Sequence, residues 1–141
     1  MNMIRFIRNA LCAASLLLAA NTATYAAKDG EWNVSDTGQP YSDAEFTVSE
    51  GTWMSVDVSP DGKTLVFDLL GDLYILPVAG GEAKPLTHSI AWEQQARFSP
   101  NGRQIAFVSD AGGGDNLWVM NADGSNVHAV TKEDFRLLNN P

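Results

Sequence analysis

The chain has 141 residues, 45% of them hydrophobic, with 9 basic and 17 acidic side chains and a formal net charge of −8. This composition excludes a disordered tail and a fibre. The acidic balance, without clustered Lys and Arg, also argues against a phosphate-backbone binder, so no nucleic-acid partner is expected.

Residues 1–9 carry Arg5 and Arg8 and no acid, residues 10–20 (ALCAASLLLAA) form a short apolar run, and NTATYAA follows with small residues. A basic start, an apolar run too short for a bilayer and a small-residue end describe a secretory signal peptide over 1–26, cut after Ala26. The alternative, an amphipathic first helix, fits poorly with a run that is apolar all round. The only cysteine, Cys12, lies inside that run with Leu16, Leu17 and Leu18 after it, which argues against lipidation. The mature chain then has no thiol and needs no disulfide. Loss of Arg5 and Arg8 leaves 7 basic against 17 acidic residues, a formal charge of −10 suited to an exported soluble surface. The expected location is periplasmic or secreted, with no membrane span after cleavage.

Residues 27–50 read as a polar leader, with Trp32 and Tyr41 tucked in. Within it, AEFTVSE alternates Phe46 and Val48 with Thr47 and Ser49, the pattern of a short half-buried strand over 45–49. No complete unit of this chain claims that strand, so it is expected to close a ring elsewhere by covering an open sheet edge.

From residue 51 onward the text is written twice. Residues 52–60 (TWMSVDVSP) match 92–100 (WEQQARFSP), and 64–68 (TLVFD) match 104–110 (QIAFVSD). Residues 73–78 (LYILPV) match 117–122 (LWVMNA), and 83–87 (AKPLT) match 127–131 (VHAVT). Each unit therefore predicts four strands. Asp61-Gly62 and Asn101-Gly102 read as two-residue type I′ hairpin turns. The offset is 40 at the Ser-Pro word and 44 from Leu73 and Leu117 onward, because LLGD becomes the longer DAGGGDN in one loop. Pro85 falls in the outermost strand, where a missing donor does least harm.

A period of about 40–45 residues with four strands per unit reads as an all-β fold, a β-propeller of four-stranded antiparallel blades. An ordinary β-meander is the alternative. The blades are expected at 51–90 and 91–131, with 132–141 (FRLLNNP at its end) starting a third. Propellers close with about four to eight blades, so the ring is incomplete here and the chain is expected to be the N-terminal piece of a longer polypeptide.

The word SPDGK, an apolar strand, LY or LW, then DGS and VT resembles the propeller repeat of the TolB family, related to WD-type repeats, from about Gly51 to Thr131. That repeat occurs in periplasmic translocation proteins, tricorn-like peptidases and propeller-bearing hydrolases. Over 50–141, including TKEDFRLLNNP, the text is most similar to the N-terminal propeller of exported amidohydrolase-family proteins, with Asn101 in place of the usual Asp. The resemblance implies a parent in which metal-activated water attacks an amide or related C–N bond. The divalent metal would then sit in a downstream hydrolase domain, and this segment would be non-catalytic. The alternatives are a periplasmic TolB-type interaction module and the propeller of a serine peptidase.

No catalytic, cofactor-binding or metal residue is assigned within the segment. His88 and His128 lack partners at ligand spacing and read as surface histidines. DAGGGDN (110–116) has no Gly-Lys-Ser/Thr and reads as a loop between strands, not a phosphate cradle. NADGSN (121–126) puts Val119 and Val130 at the first and twelfth positions of a calcium loop, so it reads as a hairpin turn. Ser59 and Ser99 stand outside any Gly-x-Ser-x-Gly elbow and are expected to bond turn amides. Asp57, Asp68, Asp110 and Asp115 lie near strand ends and read as solvated turn carboxylates, with a ligand-binding role at one mouth as the alternative. Trp53, Trp92 and Trp118 are expected to pack between blades, with a recognition role as the alternative.

Overall fold

A computed structural model describes residues 34, 38–42, 44–134 and 137–141. The expected signal peptide and Trp32 lie outside the described residues, as do Phe135 and Arg136 at the expected start of a third blade.

The described chain is all-β, with eight strands in two four-stranded antiparallel sheets. The first sheet has β1 (Val56–Val58), β2 (Thr64–Leu69), β3 (Asp72–Pro77) and β4 (Lys84–Pro85), in chain order. The second repeats that order with β5 (Glu93–Phe98), β6 (Gln104–Ser109), β7 (Asn116–Asn121) and β8 (His128–Ala129). These are the four strand positions predicted twice from the repeat, and Pro85 does occupy an edge strand.

The core lies between the sheets. Val66 and Leu73 from the first meet Ala96, Ile105, Phe107 and Met120 from the second, all buried, with Leu86, Phe98 and Trp118 packed against them. Alternation along each strand produces this, since every second side chain of β2 and β6 faces the neighbouring sheet. The opposite face of the first sheet carries Val56 and Val58, both exposed, and the stacked pair Phe67 and Tyr74, with ring centroids 5.7 Å apart.

The Ser-Pro-x-Gly-(Lys/Arg) word folds the same way in both sheets, and not as a type I′ pair. The Gly62 N–H donates to the Ser59 carbonyl at 2.8 Å, and the Ser59 N–H donates to Thr64 O at 2.8 Å, so four residues lie between the bonded pair Ser59 and Thr64. Only the glycine is left-handed, at φ +71 in Gly62 and +68 in Gly102; Asp61 and Asn101 are not. Proline, with its fixed φ at the second position, starts a right-handed turn that Asp61 continues. The two-residue loop with both φ values positive lies instead at Leu70 (+56) and Gly71 (+93), between the paired residues Leu69 and Asp72.

One further expectation is corrected. The first inner strand is only Val56–Val58, because Trp53 at φ +60 breaks the extended run predicted over 52–60. Residues 44–50 form no strand and are exposed. Residues 137–141 form no strand either; Leu138 sits half-buried beside Val108 and Leu117, and the Asn140 N–H donates to Gln95 Oε1 at 2.6 Å.

Candidate functional site

The antiparallel order brings four pieces of chain to one end of the two sheets: the approach to β1, the β2–β3 turn, the β4–β5 connection and the β6–β7 loop. Among the described residues this mouth gathers exposed tryptophans, left-handed backbone and aspartates that bond across the sheets.

Its rim is apolar and strained. Trp53 is 100% exposed and Leu70 68% exposed, and both hold left-handed backbone that bulky side chains rarely adopt. Trp92, 56% exposed, lies over the β2–β3 turn so closely that a Cβ on Gly71 would come within 3.1 Å of its ring. Ile90 is exposed beside it in sequence. Trp53 is thus not packed between the sheets as expected, Trp92 is only partly so, and Trp118 is half-buried against the core with Nε1 donating to Ser109 O at 3.2 Å.

Below the rim the aspartates bond backbone across the seam. Asp68, buried, accepts from the Ser55 N–H at 3.1 Å through Oδ1 and from the Gln95 N–H at 2.8 Å through Oδ2. Gln95 stands at φ +57 in the bulge between Gln94 and Arg97, where the ladder leaves a donor free. Asp57 Oδ2 accepts from the Phe98 N–H at 2.8 Å, and Asp110 Oδ1 from the Trp92 N–H at 2.8 Å. Three of the four carboxylates read as solvated turn groups are therefore structural acceptors, two of them tying the first sheet to β5. Asp115 stands half-buried in the β6–β7 loop.

A second network was not legible as a site. Thr87 Oγ1 accepts from the Leu73 N–H at 2.9 Å and faces Asp72 Oδ1 at 3.5 Å. Thr131 does the same in the second sheet, accepting from the Leu117 N–H at 2.9 Å and donating to Asn116 Oδ1 at 2.8 Å. The signal was present as a polar residue before each Leu-aromatic pair and a Thr 15 positions later, Asp72 to Thr87 and Asn116 to Thr131. Beside Thr87, Glu93 is buried; Ser89 Oγ donates to its Oε1 at 2.9 Å. Burial pushes the carboxyls of Asp72 and Glu93 up, and for Glu93 the acids Asp72 and Asp110 add to that while Thr87 and Ser89 oppose it.

Among the described residues no three of His, Cys, Asp and Glu cluster as metal ligands. The hydroxyls of Ser59 and Ser99 serve their own turns, each accepting at 3.0 Å from the N–H of Thr64 or Gln104. His88 is exposed in the β4–β5 connection, and His128 Nδ1 meets Asn126 O at 2.8 Å in the outer strand. At the opposite end, a cleft of about 430 Å³ runs between the two Ser-Pro turns, lined by Pro60, Asp61, Phe98 and Asn101 among others.

Comparison with known proteins gives a consistent relationship. No protein-family model matches the chain. It is 34% identical over 81 residues to the protein Atu1656 of Agrobacterium fabrum, itself uncharacterised, covering 55% of this chain and 28% of that one. It is 33% identical over 85 residues to the Tol-Pal system protein TolB of Wolinella succinogenes, covering 57% of this chain and 20% of the relative. Among solved structures, a TolB-assigned chain from Agrobacterium tumefaciens superposes with a TM-score of 0.54 at 29% identity, over 60% of this chain and 32% of that one. TolB from Acinetobacter baumannii gives 0.51 at 25% identity, over 60% and 23%. The matched region thus spans less than a third of the length of these relatives. In sequence and in fold the described segment is TolB-like, two blades of a TolB-type β-propeller.

Proposed function

We propose that these blades are a non-catalytic recognition segment of an exported propeller protein, and that the mouth ringed by Trp53, Leu70 and Trp92 is its binding face. One observation carries this reading: two bulky apolar side chains are held out to solvent by left-handed backbone at a single mouth. Strain of that kind costs about 1–3 kcal/mol per residue and persists where it serves a function, and large apolar side chains grouped on a surface mark contact sites. The similarity to proteins named for the Tol-Pal system agrees with a protein partner in the periplasm, as does the basic and apolar start of the chain. The test is a photo-crosslinking residue at position 53 or 70 in the intact protein within cells. A discrete crosslinked partner, lost with Leu70→Asp and absent when the crosslinker stands at position 63, is the expected result. Equal crosslinking from all three positions would refute the binding face.

A second reading is favoured by the resemblance of residues 50–141 to the propellers that precede metal-dependent hydrolase domains. There the mouth would hold or gate substrate for a hydrolase carried by the same polypeptide. Hydrolysis of an amide substrate by the intact protein, abolished by chelation and restored by a divalent metal, would support it. An intact protein without such activity, or one whose activity instead depends on a serine nucleophile, would not.

A further inference from the structure

We propose that Glu93 is a proton-operated latch on the seam between the two sheets, closing the mouth when protonated and loosening it when ionised. Glu93 is the first residue of β5, and its N–H donates to the Gly71 carbonyl in the β2–β3 turn at 2.8 Å. This bond seats the start of the second sheet against the first. The side chain points into the same seam and is only 6% exposed. Its Oε1 accepts from Ser89 Oγ, but its Oε2 is fully enclosed without a hydrogen-bond partner.

The groups around it make an anion costly. Thr87 has one hydroxyl proton, and two carboxyls, Asp72 and Glu93, draw on it. Ser89 supplies the other hydroxyl. Two acids face Glu93, Asp72 from the start of β3 and Asp110 from the loop after β6; His88 acts on Asp72, and no Lys or Arg is among the groups acting on Glu93. A neutral carboxylic acid fits such a place, whereas an enclosed carboxylate that shares its Thr87 donor with Asp72 and has no cation beside it does not.

Ionisation therefore drives the carboxylate toward water. The route out lifts the first residues of β5 off the β2–β3 turn, taking with them Trp92, which covers Gly71 and is tied to Asp110. Proton loss at one buried residue thus reshapes the apolar rim, whatever partner that rim meets.

The sign follows from linkage. Glu93 is raised in the folded state above the ordinary glutamate value of 4.5. The folded protein therefore holds more protons, and the latch contributes stability that is full below the ordinary value and is lost as pH rises through the folded one. The experiment is thermal unfolding of the intact protein from about pH 5 to about pH 8, comparing the parent with Glu93→Gln and Asp72→Asn. The parent should lose about 2–4 °C across that range, Glu93→Gln should lose less and melt above the parent at the upper end, and Asp72→Asn should shift the fall to lower pH. The same fall in Glu93→Gln as in the parent would overturn the latch. If Glu93→Gln does not fold, the carboxyl carbons of the parent's glutamates decide by NMR: one titrating above the ordinary range supports the proposal, and none doing so refutes it.

Discussion

Asp68 Oδ2 accepts the Gln95 N–H at 2.8 Å, so a carboxylate of the first sheet fills the backbone donor that a bulge in the second sheet releases. The bulge and the aspartate explain each other. Without the extra residue at Gln95 no donor would face the seam, and without Asp68 that donor would be buried unpaired. In the next blade-to-neighbour position the equivalents of Asp57 and Asp68, 40 residues on, are Arg97 and Val108. The second unit therefore does not repeat the pair of aspartates.

Asp68→Ala should cost about 2–4 kcal/mol, since it leaves the N–H groups of both Ser55 and Gln95 without their acceptor in a half-buried place. Asp68→Asn retains one acceptor oxygen and should cost roughly half as much. Chemical denaturation of the intact protein measures both. Equal and negligible losses would mean that water replaces the carboxylate and that the sheets are held by apolar packing alone.

Gly62→Val should cost on the order of 1–3 kcal/mol, because a β-branched residue is forced to φ +71. Space is not the issue there, since nothing lies within 4 Å of an added Cβ. At Gly102 (φ +68) an added Cβ would lie 3.4 Å from the ring of Pro60, an ordinary van der Waals contact, so Gly102→Val should cost about as much. Thermal unfolding of the pair checks this. A markedly larger loss at Gly102 would show that packing against Pro60, and not backbone strain alone, decides.

Thr87→Val should free the short outer strand β4. It keeps the shape of the side chain and removes the acceptor of the buried Leu73 N–H, a loss of about 1–3 kcal/mol. Thr131→Val should behave alike through the Leu117 N–H. Hydrogen exchange gives the local readout, with Leu73 or Leu117 losing protection ahead of the core residues Val66 and Ile105. Unchanged protection at Leu73 in Thr87→Val would contradict the anchoring role.

The strands and their order were legible because each unit alternates apolar and polar residues and is written twice. The mouth was much less so. Asp68 and Gln95 are 27 positions apart and touch only because two blades stack, a relationship that no local pattern encodes. Trp53 looked like a packing residue because tryptophan is usually buried, and nothing in TWMSV marks the left-handed backbone that turns it outward. The turn at Asp61-Gly62 was misread for a related reason: Asp-Gly suits a two-residue hairpin, but the proline before it fixes φ in the right-handed range and lengthens the loop. Burial of Glu93 depends on the β2–β3 turn of the other sheet, and hence on tertiary packing alone.

The two Ser-Pro turns differ at two positions, Lys63 against Arg103 and Asp61 against Asn101, and the second predicts a difference in acid. In both, the side-chain Oδ1 meets the serine hydroxyl, at 2.6 Å for Ser59 and 2.8 Å for Ser99, and accepts the N–H two residues on, at 3.1 Å for Lys63 and 3.0 Å for Arg103. An amide oxygen accepts these bonds as a carboxylate does, so Asp61→Asn should leave stability near neutral pH almost unchanged. The carboxylate, however, can be protonated. The Ser59 hydroxyl first, then the Lys63 N–H, hold Asp61 below the ordinary value of 3.8. A depressed carboxylate contributes stability above the ordinary value that is lost as pH falls through the folded one. The parent should therefore lose a small increment on acidification that Asp61→Asn lacks, and Asn101→Asp should acquire one. Asp61→Ala, which removes the acceptor itself, should be weakened at every pH. Thermal unfolding from about pH 5 down to about pH 2 separates the variants. If Asp61→Asn were as weak as Asp61→Ala at neutral pH, the turn would depend on the charge, and the near-identity of the two turns would be misleading.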